Sequence, residues 1–114
     1  MNSKEMAFFA ARNLDTKKAE DVQIIDIANK SGFADYFVMA SAGSERQLKA
    51  LVDEIEFLFE KEQVFVKRIE GKPGSGWLLM DYGDIIINVF TREARSKYNV
   101  EKVWGDCVTV PFEE

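Results

Sequence analysis

Residues 85–90 read Ile-Ile-Ile-Asn-Val-Phe, and no other part of the chain constrains the fold as tightly. Successive side chains of a strand point to opposite faces, and here both faces receive apolar groups. A strand of that kind is central in its sheet.

The second constraint is a helix over 44–62. Leu48, Leu51, Val52, Ile55, Leu58 and Phe59 recur at helical spacing and form one apolar stripe. Ser44 followed by Gln47 has the form of a capping box, which satisfies free N–H groups at the helix start. Phe57 projects about half a turn from the stripe at roughly 3.6 residues per turn. It is an isolated exposed residue, part of a second packing layer, or a subunit contact. Phe8 stands in the same relation to a first helix over 3–14, opposite Met6, Phe9, Ala10 and Leu14.

Strands are predicted over 22–27, 36–40, 64–70, 77–80 and 85–90, with a short closing helix over 92–98 and a tail from 100 to 114 that ends in an acidic pair. Gly71 to Gly76 is a turn, and Gly83 supplies a positive φ in the short loop 81–84. The order is α-β-β-α-β-β-β-α. It predicts an α+β fold, a mixed five-stranded sheet flanked by helices, in a single domain over 1–114. The strand meanders need antiparallel pairs, and the long helix allows one crossover. Alternation sets Trp77 and Leu79 against Leu78 and Met80, and leaves open which pair meets the helices.

Composition excludes several functions. The formal charge is -5, with 15 basic and 20 acidic side chains, which argues against a protein that holds free nucleic acid by neutralising phosphates. It suits a basic partner, or serves only solubility. The single cysteine, Cys107, cannot close an internal disulfide, no signal-peptide shape opens the chain, and no apolar run is long enough to cross a bilayer. A cytoplasmic protein is the expectation. The absence of histidine removes the commonest general base and metal ligand, and leaves Cys107 with no imidazole to activate it.

The remaining chemical motifs are weak. Gly43-Ser44 before a helix can bind an anion, and a Gly-Ser pair there also belongs to the nucleotidyltransferase pattern. That chemistry needs convergent carboxylates for metal ions. The strand that follows reads Val64-Phe65-Val66-Lys67-Arg68 and has none. The glycine-rich stretch 71–76 leads into a strand, unlike a P-loop. Asp26, Asp35, Asp81 and Asp84 lie at strand ends, where Asp favours turns. No enzyme activity, cofactor or metal is expected. A nucleotide-binding or phosphotransfer enzyme and a generic dimerisation module, the latter on Phe8 and Phe57, stay open as alternatives. Tryptophan and tyrosine favour protein contacts, and Trp77, Tyr82, Tyr98 and Trp104 all lie near turns or ends.

Ala34-Asp35-Tyr36-Phe37-Val38, then Ser41-Ala42-Gly43-Ser44 with Gln47, resembles the Iojap family, the ribosomal silencing factors. Glu70-Gly71, Trp77, Asp81-Tyr82-Gly83-Asp84 and Val89-Phe90 continue the pattern in order. Arg95 with Tyr98 and Glu101 with Trp104 complete it over about residues 5 to 106. One departure is Asn88, where the family usually has histidine. The resemblance implies a fold related to nucleotidyltransferases but without their carboxylates. It implies binding to the large ribosomal subunit through a basic protein, the fourteenth of the large-subunit series, on the face that meets the small subunit. Steric exclusion of the small subunit then represses translation. Some family members are dimers when free, and some are linked to large-subunit assembly. On this reading the contact surface centres on Glu70, Trp77, Leu79, Asp81, Tyr82 and Asp84, which combine aromatic anchors with acids.

Overall fold

A computed structural model describes residues 1–72 and 74–112. Pro73 of the glycine-rich turn and the acidic pair Glu113 and Glu114 lie outside the described residues. The elements are α1 (Ser3–Thr16), β1 (Glu20–Asp26), β2 (Tyr36–Ala42), α2 (Glu45–Lys61), β3 (Arg68–Glu70), β4 (Trp77–Asp81), β5 (Ile85–Thr91), α3 (Arg92–Tyr98), a 3-10 helix (Val100–Trp104) and β6 (Val108–Val110).

Among the described residues, the sheet has six strands in the order β3-β4-β5-β2-β1-β6. β5 lies inside it, antiparallel to β4 and parallel to β2. The connection between that parallel pair crosses over through α2, β3 and β4. β6 beside β1 is a second non-consecutive pairing, and the ladders other than β2–β5 are antiparallel. The five-strand expectation fails at the tail. Val108, Thr109 and Val110 pair with Asp26, Ile25 and Ile24 of β1. Without them β1 would present unpaired backbone groups along an open edge. Three residues form too short a run for period-two alternation to register, so the contribution of β6 is tertiary. At the other edge β3 begins at Arg68 and not at 64, after the irregular segment that leaves α2.

Both faces of β5 are covered, by different means. α1 and α2 close one face over Ile24, Val38, Ala40, Met80, Ile85, Ile87 and Val89. The other face holds Ile25, Phe37, Met39, Ile86 and Phe90, beneath α3 and the 3-10 helix. Trp77 and Leu79 belong to this second face, while Leu78 and Met80 pack toward the long helices.

Local capping departs from expectation in one detail. Ser44 Oγ accepts from Gln47 N at 3.1 Å, but Gln47 Oε1 accepts from Gly43 N at 2.6 Å, one residue earlier than in a capping box. A full box occurs instead at α1, between Asn2 and Glu5. Gly83 has φ +86°. Among the described residues, no helix is long and apolar enough to cross a membrane.

Candidate docking face

β4 sends Trp77, Leu79 and Asp81 to the face away from the long helices. Trp77 and Leu79 are half-buried. The indole of Trp77 stacks on Phe90, with centroids 5.2 Å apart and an interplanar angle of 29°. Tyr98 of α3 also packs on the indole, tilted by 44° with centroids 5.2 Å apart. The indole N–H donates to Asn88 Oδ1 at 2.8 Å. Beside the ring opens a cleft of about 260 Å³ lined by Glu70, Gly71, Lys72, Ser75, Leu79 and Tyr98.

The carboxylates lie along the edge of this face. Arg68 bridges two of them, with Nε 2.8 Å from Glu70 Oε2 and Nη2 3.2 Å from Asp81 Oδ2. The register brings this about, because Arg68 pairs with Asp81 across β3 and β4. Asp81 Oδ1 also accepts from Gly83 N at 2.8 Å, closing the β4–β5 turn. Asp84 is exposed in the same turn, and its carbonyl accepts from Asp35 N at 2.8 Å.

Five of the six residues singled out by sequence thus lie on one face and its adjoining turn. Tyr82 does not. It is 5% exposed and packs into the opposite core, its ring 4.5 Å from Phe59. Strand alternation carries the residue after Asp81 toward α2, so its ring serves packing and is removed from the contact surface. Tyr98 is the residue that sequence reasoning left off this surface. Its signal was the spacing from Arg95, which places the two three residues apart on α3.

Arg95 shows what that spacing builds. Its guanidinium is 7% exposed, and its Nε and Nη2 reach the two Glu101 oxygens at 3.1 and 3.2 Å. Nη1 donates to Asp21 O at 2.7 Å and Ser41 Oγ at 3.0 Å. Asp21 has φ +50° at a register shift in β1, which turns its carbonyl toward the arginine. The network ties α3 and the 3-10 helix to the sheet. Trp104 completes the tie with its ring 5.7 Å from Phe37. Exposed Arg92 and Glu20 pair nearby, and the charge-assisted hydrogen bond lowers the Glu20 pKa and raises that of Arg92.

Phe8 is half-buried on α1, with Arg12 and Lys4 over its ring at 5.2 and 5.8 Å. Phe57 is 54% exposed on α2 beneath the Lys61 ammonium. Among the described residues, no three His, Cys, Asp or Glu side chains converge as metal ligands would. Ser44 at the start of α2 is engaged as a cap.

Fold and face together define a mixed-sheet α+β domain with helices closing one side and an aromatic, acid-edged patch on the other. The chain belongs to the ribosomal silencing factor family. The sequence model of that family, described as ribosomal silencing factor during starvation, matches residues 1–114. The ribosomal silencing factor of Halalkalibacterium halodurans is 35% identical over 113 residues, covering 99% of this chain and 97% of that one. That of Bacillus subtilis is 39% identical over 107 residues, covering 94% and 91%. A crystal structure of a Chromobacterium violaceum protein superposes with a TM-score of 0.87 at 27% identity, covering 92% of this chain and 88% of the other. Family membership assigns the chain to regulation of translation at the ribosome.

Proposed function

We propose that this protein silences by docking on the large ribosomal subunit, in the cytoplasm, and excluding the small subunit by bulk. The docking partner is a basic ribosomal protein on the intersubunit face, the fourteenth of the large-subunit series. The observation that carries the reading is the Trp77 indole, packed by Phe90 and Tyr98 beside a cleft and near Glu70, Asp81 and Asp84. A rigid aromatic anchor with an acidic edge is what a basic protein surface meets best. One guanidinium, Arg68, serves both Glu70 and Asp81, so the edge keeps a net negative charge for a partner's cations. Silencing of this kind asks for a tight patch and for size. The molecule measures 33 × 32 × 28 Å, enough to hold two surfaces apart.

The test is sedimentation of purified subunits on sucrose gradients with and without the protein. Co-migration with the large subunit and a smaller joined-ribosome peak support the reading. Trp77→Ala weakens that binding by about thirtyfold, as loss of a hot-spot aromatic does, with the fold intact. Protein left at the top of the gradient, or a Trp77→Ala variant that binds like the parent, refutes it.

Self-association of the free protein through α2 is a second reading, favoured by the exposure of Phe57. Phe8, flanked by two cations, is its secondary contact.

A further inference from the structure

Asn88 is the single polar residue in the 85–90 run, and it is fully buried. It lies opposite Leu79 of β4 and beside Met39 of β2, two pairs along from the Trp77–Phe90 pair and so on the same face. The orientation of its amide follows from chemistry. An indole N–H only donates, so the amide oxygen must face Trp77 and the nitrogen must turn away. That nitrogen is buried and has no hydrogen-bond partner among the described residues. A buried donor left unmet destabilises a fold, and an apolar side chain of similar volume would remove the penalty. The most regular strand of the protein therefore keeps a polar group that does not serve the stability of the strand. Departures of this kind concentrate where a surface has work to do. Among the described residues, the one side-chain bond that Asn88 Oδ1 makes is to the anchor of the open face.

We propose that Asn88 is a positioning residue of the docking face. It holds the Trp77 indole by accepting its N–H, so the ring is ordered before a basic partner arrives. The inference rests on the docking role of Trp77 given above. Phe90 and Tyr98 pack against the indole, and packing alone leaves open a half-turn about χ2 that keeps the ring plane but sends the N–H to the other edge. The hydrogen bond removes this freedom. Without it, the ordering of the anchor falls on the binding step and weakens affinity.

The experiment compares four chains for binding to purified large subunits: the parent, Asn88→Leu, Trp77→Ala and the double variant. Thermal midpoints and indole N–H resonances are recorded for each. Asn88→Leu is expected to bind about five- to tenfold more weakly, the worth of one hydrogen bond. Its midpoint is expected to equal or exceed the parent's, and the Trp77 indole proton to move toward its solvent-exposed position. In the Trp77→Ala background the same substitution changes nothing further, because Asn88 acts through the indole. Asn88→Asp keeps an oxygen toward the indole at the same size. It is expected to hold affinity within about twofold, although burying a carboxyl lowers its midpoint.

Affinity that follows stability across these variants overturns the inference. So does an Asn88→Leu loss that adds in full to that of Trp77→Ala. A silent Asn88→Leu beside a weakened Trp77→Ala overturns this inference and leaves the docking reading standing. A silent Trp77→Ala removes both.

Discussion

Tyr82→Phe should make this protein more stable. The ring of Tyr82 is well used, buried to 5% exposure and set against Phe59 at 4.5 Å. Its hydroxyl is not, being buried with no hydrogen-bond partner among the described residues. Burial pushes the hydroxyl pKa far above its ordinary value, and the carboxylates of Glu56 and Glu60 add to the shift. An unmet buried polar group costs roughly 1–3 kcal/mol. Deleting one oxygen leaves a small void, which takes back a fraction of that. The net gain is about 1 kcal/mol, or about 4 °C in the thermal midpoint for a domain near this size. The difference grows with pH. Below the unfolded pKa of about 10, the hydroxyl keeps its proton in both states. Above it the unfolded chain releases the proton while the folded chain holds it, so stability is lost as pH rises. The phenylalanine variant lacks that group and should outlast the parent by a widening margin toward pH 11. Circular dichroism melts of both proteins from pH 7 to 11 test this. A variant that melts several degrees lower at pH 7 would show that the hydroxyl is bonded in the folded state, and the reasoning would fall.

Arg95→Met should destabilise by about 3 kcal/mol in urea titrations, because it strands Glu101, Ser41 Oγ and the Asp21 carbonyl around a buried vacancy. Gly71→Ala should lower both stability and large-subunit binding. Gly71 has φ +131°, and a Cβ there would overlap the Trp77 carbonyl oxygen and sit 2.8 Å from Leu78 Cδ2; the cost should be about 2 kcal/mol or more by melting. If the free protein self-associates through α2, Phe57→Glu should lower its mass in sedimentation equilibrium, and an unchanged mass would exclude that face.

Periodicity made the interior of the fold legible and its margins obscure. The apolar runs of β5 and α2 specify burial by themselves, so the central strand and the stripe could be read directly, and the long helix allowed the β2–β5 crossover but gave no sign of the return of β6 to β1. β6 could not, because three residues gain strand character only from pairing with β1. The segment 64–67 has strand-like residues, yet it follows the end of α2 too closely to enter the sheet before Arg68. Alternation grouped Trp77 with Leu79, but only the placement of α1 and α2 shows which face stays open. Tyr82 was misread because its neighbours Asp81 and Gly83 mark a turn. A turn residue can still point inward, and this one does.

The unequal cover of the two faces is itself an argument for where a partner binds. On the closed side, two helices of 14 and 17 residues bury the sheet. On the other, α3 and the 3-10 helix together supply 12 residues, 7 and 5, and leave Trp77 and Leu79 half-buried. A domain this small needs both cores, so the short elements must be held firmly. Arg95 ties α3 and the 3-10 helix to β1 and β2, and Lys30 pins the end of the 3-10 helix through the Val103 carbonyl at 3.0 Å and Asp106 at 2.6 Å. The same α3 presents Tyr98 to Trp77. The aromatic centre of the open patch is therefore built on strands and a clamped helix, with turn residues only at its rim. A contact surface so supported loses little freedom on binding. Under the proposed steric mode of silencing that property matters most, since the effect would last only as long as the protein stays bound.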